Sequence, residues 1–347
     1  MALYDAVSDL PLTIEDASLS RCERDTSSGF TRVSTVISLS GDGEEGRGED
    51  VTYEAEDHDA LLDAGAPDLS GTYTLAEFSE RVGSLDLFPE GPGREDFRNY
   101  RRWGFESAAL DLALRQADTD LASALGRSYD PVRFVASTRL GDPPTVDRVE
   151  RFLEHDPDLE FKLDPESAWS DELIERLVET EAVRILDLKG HYEGTEVDQA
   201  PDPGLYGRVL EAFPEAVIED PALVDETRPL FEGHEDRVSW DAPIHGVGSV
   251  EDLPFEPSWL NLKPSRFGSV ESLFETIEYC RDRGITTYGG GQMELDVGRG
   301  QIQALASLFY PDTPNDVAPS AYNDPVISDD LPTSPLSPPE ETAGFRW

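Results

Sequence analysis

The sequence predicts an α/β protein with three parts. These are an α+β unit over residues 1–100, a (β/α)8-type barrel of the TIM kind over 101–324, and a proline-rich tail over 325–347. From Pro131 onward, short apolar strands alternate with helical patterns, with strand centres near 134, 161, 186, 218, 240, 262, 287 and 318. Their spacing of 22 to 32 residues is that of a β/α repeat. No glycine-rich phosphate loop follows the first strand, which counts against a doubly wound open sheet. At 347 residues and 38% hydrophobic, the chain can also bury a large core.

Taken in order, the alternation in Phe30–Leu39 reads as a strand running into the turn signal Gly41-Asp42-Gly43. A second strand is expected near Val51–Tyr53, with short helices at Asp57–Leu62 and Thr74–Arg81. Phe88–Gly93 is a Pro/Gly break. A helix leading into the barrel is expected over Phe105–Leu125, its apolar face including Ala108, Leu112 and Leu121. The barrel helices fall at Thr145–Leu153, Asp171–Val178 after a Ser170 cap, Tyr206–Phe213, Ala222–Phe231, Val270–Arg283 and Gln301–Leu308. The tail, with five prolines between Pro325 and Pro339, reads as an extended wrap or a loose end.

Charge narrows the function. Against 28 Lys+Arg stand 73 Asp+Glu, a net charge of −45, which repels nucleic acid and anionic membrane surfaces. No apolar run reaches spanning length, and Met1–Leu10 lacks the features of a signal peptide, so a soluble cytoplasmic protein is the expectation. Cys22 and Cys280 make neither a disulfide framework nor a zinc site. Only three lysines occur: Lys162, Lys189 and Lys263. A carboxylate-coated, lysine-poor chain suits a halophilic cytoplasm held at high salt, where screening removes self-repulsion.

In a barrel, chemistry sits at the C-terminal strand ends. Five successive strands here end in a charged residue: Lys162, Asp187, Glu219, Asp241 and Lys263. Three carboxylates converging on a barrel axis need a cation to stay ionised, and an oxygen-only donor set selects a hard ion such as Mg²⁺. The flanking lysines are candidates to exchange a proton with substrate. Their structural alternative is a buried ion pair closing the barrel mouth. Lys189, two residues after Asp187, stands between a salt bridge and a site role. Asn261 and Glu294 are candidate substrate contacts. The five histidines show no metal-ligand spacing; His245, four residues past Asp241, is expected on a surface loop, and Trp169 and Trp240 read as packing.

These residues resemble the enolase superfamily, in particular its muconate lactonizing enzyme-like subgroup. That subgroup also holds o-succinylbenzoate synthases, N-acylamino acid racemases and dipeptide epimerases. The resemblance spans nearly the whole chain. Gly41-Asp42-Gly43 with Gly46-Arg47-Gly48-Glu49 is similar to the turn and strand of the capping domain. Glu106–Leu114 is similar to the helix that leads into the barrel. Ile218-Glu219-Asp220-Pro221, Asn261-Leu262-Lys263-Pro264-Ser265-Arg266 and Gly289-Gly290-Gly291-Gln292 resemble the fourth-, sixth- and seventh-strand segments.

The resemblance implies Asp187, Glu219 and Asp241 as ligands of Mg²⁺, with Mn²⁺ as an alternative, and Lys162 and Lys263 as the acid/base pair. It further implies abstraction of a proton α to a substrate carboxylate through a metal-stabilised enediolate, then cycloisomerisation, epimerisation or dehydration. A small carboxylate substrate follows from the same resemblance, and barrels of this kind often assemble into homo-oligomers. Two positions depart from the family pattern: Glu160-Phe161-Lys162-Leu163-Asp164 stands where the family has Lys-x-Lys, either register leaving one lysine with a carboxylate in its partner's place, and Asp187-Leu188-Lys189 stands in place of Asp-x-Asn. The alternatives are an acid-sugar dehydratase, disfavoured by the lack of a histidine near the sixth or seventh strand, and a non-catalytic barrel that has lost the base arrangement. Substrate choice is expected to lie in loops within Ser18–Gly29.

Overall fold

The computed structural model describes every residue except Met1, Glu193 and Glu196, so of the stretch read for a leader only Met1 lies outside the described residues. The N-terminal part is built on an antiparallel three-stranded sheet. β1 (Pro11–Ile14) precedes β2 (Asp16–Asp25), β3 (Thr31–Gly41) and β4 (Glu44–Asp50), and β2-β3-β4 pair in that order. Next come α1 (Ala55–Ala64), β5 (Gly71–Thr74), which pairs with β1, and α2 (Leu75–Gly83), closed by a Thr74–Glu77 capping box.

Two expectations are corrected in this part. The strand expected at Val51–Tyr53 is β4, which begins directly after the turn because Asp42 and Gly43 adopt positive φ (51° and 81°) and pair Gly41 with Glu44. Its acidic, glycine-rich residues have poor strand propensity, so pairing and packing impose the conformation. The loop expected in Ser18–Gly29 is instead most of β2 and its hairpin turn into β3.

β4 lies against α3 (Phe97–Gln116) at backbone distance. A Cβ on Gly46 would sit 2.3 Å from the Ala108 carbonyl oxygen, and one on Gly48 2.0 Å from that of Gly104. Gly48→Ala is therefore expected to cost about 3 kcal/mol in chemical denaturation, since neither backbone can yield. Little or no change would mean that the two elements separate without penalty.

The helix expected at Phe105–Leu125 starts earlier and ends earlier. Its polar first turns are held by partners that spacing does not reveal, and a turn through Asp118 (φ 51°) separates it from α4 (Leu121–Ala124), capped by Asp120.

The barrel then follows as β6 (Val135–Thr138), α5 (Asp147–His155), β7 (Glu160–Leu163), α6 (Asp171–Glu179), β8 (Val183–Asp187), α7 (Pro203–Ala212) and β9 (Val217–Glu219). β10 (Val238–Trp240), α8 (Val247–Glu251), β11 (Trp259–Leu262), α9 (Pro264–Phe267), α10 (Val270–Arg283), β12 (Thr286–Gly289) and α11 (Val297–Phe309) complete it. The seven strands β6–β12 form one parallel sheet in chain order. Ser170 caps α6 as its sequence signalled, by accepting the Leu173 N–H.

The eighth strand, expected near 318, is absent among the described residues. Asn315 and Asp316 instead make single bridges that close the ring, from the Val135 N–H to the Asn315 carbonyl (2.8 Å) and from the Asp316 N–H to the Gly289 carbonyl (2.8 Å). Pro311, Pro314 and Pro319 around them lack the donors a longer ladder needs. The helix expected at Ala222–Phe231 is reduced to a 3₁₀ turn at Arg228–Phe231, with Pro229 inside it.

The tail is a wrap. Leu336 bridges Val132, Gly344 bridges Asp120, and Phe345 is buried edge-on against Trp103. The three-stranded sheet is also tied to the last barrel helix by Glu49 of β4. Its buried carboxylate accepts the N–H groups of Leu295, Asp296 and Gly298 at the start of α11 (2.6, 3.0 and 2.9 Å). Among the described residues no helix is long and apolar enough to cross a membrane.

Candidate active site

The parallel register brings the charged strand ends together. Asp187 of β8 is level with Glu219 of β9, and Glu219 with Ser239 of β10. Asp241 and Lys263 follow directly on β10 and β11, and Lys162 lies on β7. All five charged residues are buried.

Glu219 is the hub. Its Oε1 accepts from Lys162 Nζ (2.6 Å) and Asn261 Nδ2 (3.3 Å), and its Oε2 from the Tyr288 hydroxyl (2.5 Å), which itself meets Ser239 Oγ at 2.9 Å. Lys162 is caged further by Asp187 Oδ2 (3.2 Å) and Asp316 Oδ2 (3.4 Å). Asp241 Oδ2 meets Lys263 Nζ (2.8 Å) and the Tyr192 hydroxyl (2.8 Å), while its Oδ1 takes Arg266 Nε (3.1 Å). Asp220 accepts the backbone N–H groups of Asp241 (2.8 Å) and Ala242 (2.9 Å), and so sets the turn that presents Asp241.

The remaining candidates divide. Lys189 Nζ bonds Asp187 Oδ2 and lies 3.4 Å from Asp164 Oδ1, so it belongs to the cluster. Asn261 belongs too; its Oδ1 is buried without a partner. Glu294 does not touch it. Its carboxylate takes the Gln292 N–H (2.7 Å) and lies 3.4 Å from Arg299, on the side facing Glu49. His245 is exposed and bonds only the nearby Pro243 carbonyl and Ser249. Trp169 and Trp240 are buried in the core.

Sequence reading did not pick out Tyr288, Ser239, Tyr192 or Asp316. Tyr288 and Ser239 sit inside strands, where inward-facing polar residues leave no mark in an alternating pattern. Asp316 lies on the segment taken for an eighth strand, two residues before its expected centre.

The charges do not balance within the protein. Six carboxylates (Asp164, Asp187, Glu219, Asp220, Asp241 and Asp316) face five cations (Lys162, Lys189, Lys263, Arg266 and, through its pull on Asp164, Arg139), an excess of one negative charge when all are ionised. Burial, with Asp187 and Asp241 nearby, pushes Glu219 up to about 8 against the pull of Lys162 and Lys263. Burial and the neighbouring Asp241 and Asp187 push Asp220 up to about 7. Burial favours a neutral Lys162, but Glu219, Asp187 and Asp316 outweigh it and hold the amine charged well beyond its usual range. Burial likewise opposes ionisation of Asp241, yet Arg266, Lys263 and Lys162 keep it below the usual carboxylate range.

This donor set fits a hard divalent ion. It is all oxygen, it is short of positive charge when its carboxylates are ionised, and ligand atoms of Asp187, Glu219 and Asp220 lie within 4.8 Å of one another. Asp220 stands in that group where the sequence pointed to Asp241, because Asp241 is drawn toward Lys263, Arg266 and Tyr192.

An antiparallel sheet domain packed on a parallel barrel, with carboxylates and lysines at successive strand ends, defines the class as the enolase-superfamily fold. Muconate lactonizing enzyme from Pseudomonas putida superposes with a TM-score of 0.66 over 88% of this chain and 88% of that one, at 21% identity. An enolase-superfamily member from Listeria innocua Clip11262 gives 0.64 over 89% and 86%, at 18% identity. The chain belongs to the DUF8230 family. Residues 5–124 match the model described as "Domain of unknown function (DUF8230) N-terminal domain", and residues 128–324 match that of its C-terminal domain. Among curated proteins, the o-succinylbenzoate synthase of Bacillus subtilis (strain 168) is 22% identical over 257 residues. That match covers 70% of this chain and 66% of the relative's length.

Proposed function

We propose that the protein removes a proton α to the carboxylate of a small substrate. The intermediate then cycloisomerises, epimerises or loses a leaving group, as an isomerase or lyase. The observation that carries this is the excess of carboxylates over cations at the ring, with amines on both flanks, Lys162 on β7 and Lys263 after β11.

Asp187 and Glu219 would hold the ion, Mg²⁺ or Mn²⁺, with a third carboxylate from Asp220, which lies within reach of both, or from Asp241, which would first leave Lys263, Arg266 and Tyr192. When bound, the ion would draw in carboxylate oxygens and stabilise negative charge developing on them. Lys263 Nζ, on the Asp241 edge of the ring, holds or moves the proton on that side. Lys162, charged within its carboxylate cage, offers a proton from the other. Asn261 and Tyr288 orient Glu219 from beneath. The enolase-superfamily fold and the o-succinylbenzoate synthase relative support the same reading.

One observation favours a second reading, a metal-free barrel without catalysis: Asp187, Glu219 and Asp241 each already meet a lysine ammonium.

Solvent-deuterium exchange separates the two. Incubation of candidate carboxylic acids in D₂O is expected to give Mg²⁺-dependent incorporation at the α-carbon, lost on adding chelator and reduced by about 10²–10⁴-fold in Lys263→Ala. Exchange that persists in both Lys263→Ala and Lys162→Ala would remove the lysines from the chemistry. Calorimetry showing no saturable Mg²⁺ binding would favour the metal-free barrel.

The cytoplasmic, high-salt setting is part of the same proposal, supported by the charge of −45 and the three lysines. The melting temperature is expected to rise steadily from about 0.1 M to several molar KCl, as the screening length shrinks from about 10 Å to about 3 Å at 1 M. A melting temperature indifferent to KCl would argue against it.

A further inference from the structure

A cavity of about 260 Å³ opens over the ends of β6, β7 and β8, lined by Arg139, Asp164, Glu166, Lys189, Asp198 and Gln199. Its Lys189–Asp164 ion pair connects it directly to Asp187. Of the three lysines only Lys189 lines this space. Its side chain is 14% exposed, against 2% for Lys162 and 8% for Lys263. Lys189 also adopts a positive φ of 54°, a strained backbone for a long side chain, held by its N–H on Asp187 Oδ1 (3.1 Å).

The wall carries both signs of charge, and part of it is already answered. Lys189 and Asp164 neutralise each other, and Asp198 Oδ2 takes the Gly194 N–H at 2.9 Å. Arg139 and Glu166 remain. Neither side chain has an ion-pair partner among the described residues, nor do they reach each other. Arg139 is exposed and pulls through space on Asp164, which Lys189 already pairs, so its guanidinium keeps room for a second anion. A lone anion would meet Glu166 and Asp198, and a lone cation would meet Arg139 and Lys189. A ligand bearing both charges answers each wall.

We propose that this cavity is a subsite for the zwitterionic end of a small molecule, with its carboxylate on Arg139 and its ammonium on Glu166. Lys189 and Asp164 form the part of the wall that sets how closely the ligand approaches Asp187. The subsite names a substrate class for the reading above and rests on it only for the neighbouring chemistry, because binding is measured without turnover.

Calorimetry on the full chain with three probes tests it: glycylglycine as zwitterion, succinate as dianion and 1,4-diaminobutane as dication. Glycylglycine is expected to bind saturably and more tightly than either of the others. Arg139→Gln and Glu166→Gln are each expected to weaken it by about tenfold or more, the loss of one charge-assisted hydrogen bond. Both residues lie at the rim and outside the core, so folding of the variants is checked simply by an unchanged melting temperature. Glycylglycine binding no tighter than that of succinate or diaminobutane, binding indifferent to both substitutions, or no binding of any probe overturns the proposal. Arg139-dependent glycylglycine binding without Mg²⁺-dependent deuterium exchange would sink the catalytic reading and leave the subsite standing.

Discussion

Lys162→Met is expected to lower the unfolding free energy of the metal-free protein by about 3–5 kcal/mol, because it leaves buried carboxylates without their cation. The ammonium it removes is 2.6 Å from Glu219, 3.2 Å from Asp187 and 3.4 Å from Asp316. Methionine has a similar length, so packing changes little and the loss is electrostatic. Urea titration with and without Mg²⁺ reads the effect. The ion is expected to recover more stability in the variant than in the wild type, since its charge then answers Glu219, whose remaining partners Asn261 and Tyr288 are neutral. A variant as stable as the wild type would mean that those carboxylates are protonated in the metal-free protein and that Lys162 does not hold the ring together.

Arg101→Met is expected to cost a similar amount, about 3–5 kcal/mol, at a site remote from the chemistry. Arg101 is buried in α3, with Nε 2.7 Å from Asp50, Nη1 on the Leu87 carbonyl (2.9 Å), Nη2 on that of Asp57 (2.8 Å), and its guanidinium 3.6 Å from the centre of the Phe88 ring. Burial pushes the Asp50 carboxyl up, but Arg101 and His58 outweigh it and hold it below the usual carboxylate range.

The sign of the pH dependence follows. As pH falls, the unfolded chain protonates Asp50 first, near its ordinary value of about 3.9. The pair's contribution is therefore complete above that pH and is lost as pH drops through the lower folded value. The stability gap between wild type and Arg101→Met, followed by denaturant titration from pH 7 downward, is expected to stay wide until about pH 4 and then narrow. A gap constant into strong acid would show that the Asp50 charge is not what Arg101 serves.

Much of the barrel was legible because each strand–helix unit carries its own signal. Ser170 before an acidic first turn, Val270–Arg283 between Ser269 and Gly284, and the apolar strand cores all report local physics. The failures share a cause as well. β4 is Glu- and Gly-rich, β2 is polar on both faces, and the first turns of α3 are charged. Each is stabilised by partners distant in sequence, such as α3 against Gly46 and Gly48, or Asp50 against Arg101. The eighth strand failed in the opposite sense. Its pattern promised a ladder, but the prolines around Asn315 and Asp316 leave only two bridges.

The candidate site divides along the same line. The order of Lys162, Asp187, Glu219, Asp241 and Lys263 at the ends of five successive strands was visible in one dimension, because a parallel barrel turns chain order into neighbours around a ring. Which carboxylate meets which cation was not visible. Lys189 on Asp187 and Asp164, Arg266 on Asp241, Tyr288 under Glu219 and Asp316 behind Lys162 depend on strand tilt and side-chain reach. Sequence alone determined the repeat, the acid excess and the scarcity of lysine that marked the strand ends, since those are properties of composition and period. Only the tertiary structure decided how far the charges balance, because a buried charge is neutralised by whatever lies within a few ångströms of it, at any distance along the chain.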